Sequence, residues 1–272
     1  GQPHDRERDT AHFVDLDDQG RVMDQRGMTL AELPRLKSEY DAALTKAGLD
    51  VNEAGWLPYA MTDGYQQLVT NFAYWRVLKV LARTERNATK RRWYARDLAR
   101  REQLILRDLG EFSHYVADAS QPHHTTIHFN GWDANTTNPN GYTRDRVHGP
   151  FEGEFVVANV TLDAVRAGMA PLQRCAETVW AKCAVRMITD ANARVEPFYA
   201  LHKEGGFQPG DARGRAFATE RLAHGASKLR DFTVDAWRAS ANARVGWPAI
   251  AVADVEAGRL TVDPWPSLNG SD

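Results

Sequence analysis

At 272 residues the chain has room for one large domain or two small ones, and a single domain spanning 1–272 is expected. Hydrophobic residues make up 43% and charged residues 26%, an ordinary balance for a globular fold with a sizeable core. A formal net charge of −2 excludes a global basic field for nucleic acid or an anionic membrane, so an anionic substrate needs local positive charge, which bound metal ions can supply.

The opening stretch, Gly1 to Arg26, is charged and lacks helical period; a short hairpin is the most it suggests. Inside it lies His12-Phe-Val-Asp15-Leu-Asp-Asp18. Thr29 and Glu32 have capping-box spacing, and Leu33, Leu36, Tyr40 and Leu44 recur at helical intervals up to a stop at Gly48. Residues 51–62 contain Gly, Trp and Pro and read as a loop, with Asp63 as the cap of the next helix. That helix carries a core stripe of Leu68, Phe72, Trp75, Leu78 and Leu81.

A further helix is expected from Asn87 to Ala117. Its basic outer face (Lys90, Arg91, Arg92, Arg96, Arg100, Arg101) reads as solvated. Residues 121–147 are rich in Asn, Gly, Thr and Pro, and a loop of that length inside a domain points to function or disorder. Helical patterns resume over 148–168, 171–187, 189–203 and 212–241, before an irregular tail. The fold class is therefore all-α: a single multi-helix domain with long functional loops. No apolar run approaches the ~20 residues of a membrane span, and no signal-peptide pattern is present. The two cysteines, Cys175 and Cys183, would stand about 12 Å apart on one helix, too far to bridge. Buried thiols are the default, and a disulfide requires a turn between them.

Histidine placement carries the chemistry. Five of the nine histidines fall in the 35 residues from His114 to His148. His114-Tyr-Val-Ala-Asp118 puts an imidazole and a carboxylate at i and i+4, on one helix face, and His148-Gly-Pro-Phe-Glu152 repeats the arrangement. Between them Gln121-Pro122-His123-His124 breaks the first helix and projects a histidine beyond its end. Neutral imidazole and carboxylate are the ligands that suit zinc where thiolate is lacking, and paired metals clamp an in-line phosphoryl displacement. A lone His-x-x-x-Asp is usually a surface ion pair; two such pairs flanking a histidine-bearing turn point to a metal site. One histidine of the 123/124 pair must face away, and His128, His202 and His224 default to packing or surface roles.

The run from His114 to His124, followed by His148-x-x-x-Glu152, resembles the zinc-dependent phospholipase C and single-strand-specific nuclease superfamily. The resemblance implies zinc, up to three ions in the family and one to three here. It implies His12 as a further ligand, with His12, His114 and Asp118 serving one set of ions and His124, His148 and Glu152 another. Asp118 is expected to bridge two metals. Asp15 follows the family position of an aspartate that orients substrate or water, so Asp15 and Asp118 are the expected catalytic residues. Family members open with a tryptophan whose amino group and carbonyl bind zinc, then a histidine and an aspartate. Gly1 stands only eleven residues ahead of His12, so an N-terminal metal-binding segment is expected to be missing, with His4, Asp5 and Asp9 as weak substitutes.

The loop Thr125-Thr-Ile-His-Phe-Asn-Gly-Trp132 lacks the Gly-Gly-Asn of the nuclease branch, and the second pair ends in Glu152, as in the phospholipase branch. The resemblance thus implies a secreted or periplasmic phosphodiesterase of phospholipase-C type. Phe129, Trp132 and Tyr142 are candidates for head-group contact, base stacking or core packing. The alternatives are a single-strand nuclease or nucleotidase, and a zinc-stabilised helical protein without hydrolytic activity.

Overall fold

The computed structural model describes residues 6–269; His4 and Asp5 lie outside the described residues. The fold is all-α. Long helices at Leu57–Thr84, Ala88–Asp118 and Ala212–Ser240 are joined by shorter ones, and Arg244–Val245 pairs antiparallel with Ile250–Ala251 in a small ribbon. The chain divides into two compact units, residues 1–62 with 114–229 and residues 63–113 with 230–272.

In the second unit Val77, Leu78, Leu81 and Tyr94 pack with Val245, Ile250, Val252 and Val255. Burial of each large aliphatic is worth about 1.5–3 kcal/mol; of the stripe read from the sequence, Leu68, Leu78 and Leu81 are core, whereas Phe72 and Trp75 are half-buried and pack on Trp237. The predicted helix start at Asn87 holds: its side chain accepts from the N–H groups of Thr89 and Lys90, at 2.9 and 3.1 Å. Within the basic face, Lys90 pairs with Asp263 at 2.6 Å, and Arg91, Arg92, Arg96 and Arg100 are solvated.

Several local expectations need correction. Only a 3₁₀ turn, Leu30–Glu32, follows Thr29, and the helix proper is Lys37–Lys46. Pro34 is the reason: the residue before a proline is held extended, and Leu33 has ψ 128°. Residues 51–62 are not a loop but a turn, Val51–Ala54, followed by the first residues of the Leu57–Thr84 helix, so Asp63 is interior rather than a cap. Pro58 is tolerated there because first-turn N–H groups have no intrahelical acceptor. The 148–168 pattern is interrupted at Val160–Thr161, and that from 189 at Ala193–Arg194.

Residues 171–177 are irregular, and the helix runs Ala181–Asn192. Because the chain turns there, Cys175 and Cys183 approach to a Cα separation of 6.0 Å and form a disulfide, overturning the buried-thiol default. At the N-terminal end, the suggested hairpin reduces to isolated bridges, Leu16 with Val22 and Arg21 with Thr29.

The first unit holds an aromatic core of Trp132, Tyr142, Phe151, Phe155, Phe198 and Tyr199. Trp132 and Tyr142 are thus packing residues, whereas Phe129 is exposed. All the histidine and carboxylate candidates lie in this unit.

Candidate metal centre

Three pieces of backbone bring the candidates together. The Ala88–Asp118 helix delivers His114 and Asp118 on its last turn. Gln121 then caps a 3₁₀ turn, Pro122–Thr125, its side-chain oxygen accepting from the His123 N–H at 2.7 Å. The third piece is a π-helical turn, Pro150–Phe155, which carries Glu152 one turn after His148. π-Turns are uncommon and concentrate at functional sites.

The His12 segment is held alongside by main-chain bonds, with Val14 N–H donating to the His124 carbonyl at 2.9 Å and Ile127 N–H to that of Leu16 at 3.0 Å. On its other side Leu57 N–H donates to the Phe13 carbonyl. Gly55 permits that approach: its φ is +73°, and a Cβ there would stand 2.3 Å from the Phe13 oxygen.

Ligand atoms of His124, His148 and Glu152 all lie within 4.8 Å of one another. Glu152 Oε1 is 3.3 Å from His124 Nε2 and 3.1 Å from His148 Nε2. The same oxygen accepts from Gln121 Nε2 at 2.8 Å. Three nitrogens therefore converge on an oxygen with two lone pairs. Zinc bonds of 2.0–2.1 Å in tetrahedral array imply ligand–ligand edges of about 3.3 Å, which the two histidine–glutamate separations match.

Asp118 stands beside this triad, its Oδ1 3.9 Å from His124 Nε2. Its Oδ2 lies 3.2 Å from His114 Nε2 but is buried without a hydrogen bond. The His12 ring packs edge-on to His124 and His114, centroids at 5.1 and 5.9 Å. An unsatisfied buried carboxylate oxygen among imidazoles fits a cation, since such an atom is otherwise costly. The donor set is nitrogen and oxygen throughout, as zinc accepts.

The electrostatics agree with that chemistry. Burial and the neighbouring His124 and His114 lower His12 to a pKa of about 4, so it is a neutral donor at pH 7. Burial pushes Asp118 up, only partly opposed by His124 and His114. Burial also raises Glu152, but hydrogen bonds from His124, His148 and Gln121 outweigh it and leave its carboxyl well below the usual range.

The other candidates separate. Asp15 is buried, with its carboxyl pushed well up by desolvation, but it is not one of the clustered ligands and has no side-chain partner among the described residues. Asp9 is exposed, and its charge acts on His12. His123 is the member of the pair that faces inward, 4.2 Å from the Phe198 ring. His128 has both nitrogens engaged: Nδ1 accepts from Asp133 N–H at 3.0 Å, so Nε2 carries the proton toward Asp18 at 2.8 Å. It also stacks on Trp132 at 3.8 Å.

Two supporting residues escape a sequence reading. Asn130 Oδ1 accepts from the N–H groups of Val147 and His148, at 3.2 and 3.3 Å, and so fixes the start of the π-turn. Gln121 reads in sequence as a helix break before Pro122, with no sign that its amide reaches Glu152 thirty-one residues on. No family model, curated protein or solved structure matches the chain.

Proposed function

We propose that the chain is a zinc-dependent phosphodiesterase of phospholipase-C type. The observation that carries the reading is the convergence of His124, His148 and Glu152 beside Asp118, whose buried Oδ2 lacks a hydrogen bond. In this reading His124, His148 and Glu152 hold one ion, while His12 and His114 serve others with Asp118 as the shared carboxylate. Zinc, when bound, polarises a phosphodiester and lowers the pKa of its water toward neutrality. The chain's own part is to present imidazole nitrogens and carboxylate oxygens on fixed backbone, so that little reorganisation accompanies binding. Asp15, three residues beyond His12, orients substrate or water.

The exposed ring of Phe129 supplies an apolar face for a choline head group in the lipid reading. The Cys175–Cys183 bridge supports an oxidising compartment, secreted or periplasmic. No helix among the described residues is long and apolar enough to cross a membrane.

The test is elemental zinc analysis of the purified chain, followed by hydrolysis assays. One to three ions per chain with release of a phosphorylated head group from phosphatidylcholine supports the proposal. Acid-soluble nucleotides from single-stranded DNA instead would make it a nuclease. Zinc bound with neither activity would leave a structural role, and no zinc after incubation with excess metal would sink the reading.

A further inference from the structure

Gln121 makes contacts in two directions with one side chain. Its Oε1 accepts from His123 N–H at 2.7 Å, closing the 3₁₀ turn. Its Nε2 donates to Glu152 Oε1 at 2.8 Å and lies 3.2 Å from His123 Nδ1. The amide's orientation follows from its neighbours, because a backbone N–H can only donate and a carboxylate can only accept.

The consequence falls on Glu152. Its side chain is 42% exposed and sits on a π-turn, so burial alone does not fix where its carboxylate points. The Gln121 amide is the shortest of the three nitrogen contacts to Oε1, and the only one from a group that is not itself a candidate ligand, since an amide nitrogen can only donate. We infer that Gln121 is a positioning residue that sets the Glu152 carboxylate toward His124 and His148, and so tunes metal affinity through Glu152. The inference rests on the zinc-site reading above. Ligating carboxylates are commonly held in this way, and loss of such an outer partner typically weakens metal binding about 10–100-fold.

Gln121 also holds a turn, so its two roles must be separated. Gln121→Asn does this. A shorter amide can still accept from the N–H two residues on, as asparagine does in turns, but it falls one methylene short of Glu152. The experiment measures zinc dissociation constants by competition with a chelating dye, for the parent chain, Gln121→Asn, Glu152→Ala and the double variant. Thermal melting of the zinc-free forms is followed in parallel.

The expected result is an unchanged zinc-free melt for Gln121→Asn with zinc binding weaker by about 10–100-fold. On the Glu152→Ala background the same change should add less than about twofold, because neighbours acting through one group are not additive. An unchanged dissociation constant for Gln121→Asn, in a parent that binds zinc, overturns the inference alone. An equal loss in both backgrounds also overturns it, since the residue then acts through the turn. A parent chain that binds no zinc removes the phosphodiesterase reading and the inference together.

Discussion

Asp118 Oδ2 lies 3.2 Å from His114 Nε2, yet no hydrogen bond joins them and the oxygen is buried. The distance is within hydrogen-bond reach, so what a helical i,i+4 pair kept only for stability would add is alignment. The misaligned geometry suits two atoms that face a common third. Asp118→Ala and His114→Ala should therefore each lower the zinc-to-protein ratio. On the proposed reading each is a direct ligand, so activity should fall by more than the ~100-fold upper scale for losing an outer partner. Retention of full zinc and full rate in both variants would contradict the assignment.

Zinc binding should also depend on pH in a defined direction. Imidazole binds metal only when deprotonated, so protons compete with the ion below the histidine pKa. A histidine ordinarily titrates at about 6.5; affinity should hold from neutral pH upward and fall below about pH 6. Burial and neighbouring imidazoles put His12 at about 4, so its own protonation adds a later loss near that pH. Titration of zinc into the chain at several pH values checks this, and affinity unchanged down to pH 4 is incompatible with histidine ligation.

The site and the fold were legible in the sequence to different degrees, for physical reasons. His114/Asp118 and His148/Glu152 are local pairs, and i,i+4 spacing alone puts them on one face. The Ala88–Asp118 helix was readable because Asn87 caps it and its apolar residues keep period. The start at Leu57 was hidden by Gly55 and Pro58, which look like loop residues but serve a close approach and a helix first turn. The disulfide was hidden by an apolar pattern over 171–187 of which the chain uses only the part from Ala181 onward as helix. The fates of His128 and Trp132 are set by partners distant in sequence, Asp18 and Tyr199, which no local pattern encodes.

His123 gives the zinc-free protein an acid-sensitive stability. It is 1% exposed, and burial with the nearby His148 holds its pKa at about 3, against 6.5 for the free side chain. The folded-state value is depressed, so below pH 6.5 the unfolded chain binds a proton that the folded chain does not. This contribution to stability is complete above pH 6.5 and is lost as pH falls toward 3. Its slope is about 1.4 kcal/mol per pH unit. His123→Phe removes the titration and keeps a ring among Phe151, Phe198 and Tyr199. Urea unfolding of zinc-free parent and variant at pH 7 and pH 5.5 should show the parent losing stability relative to the variant by about that slope. Parallel losses in the two proteins would mean that His123 does not carry the effect.

Cys175 and Cys183 close a short loop immediately ahead of the Ala181–Asn192 helix. Near the end of that helix Asn192 donates to the Thr125 carbonyl at 2.7 Å, directly behind the turn bearing His124. The bridge therefore tethers the start of an element whose far end touches the turn bearing His124. Cross-linking residues eight apart restricts the unfolded chain by about 2.5 kcal/mol on the loop-entropy account. Cys175→Ser with Cys183→Ser should lower urea-unfolding stability by that order. Asn192 lies at the opposite end of that helix from Cys183, so zinc affinity should change by less than about threefold, or ~0.6 kcal/mol. A large fall in zinc affinity at unchanged stability would reverse this assignment and make the bridge a support of the metal centre.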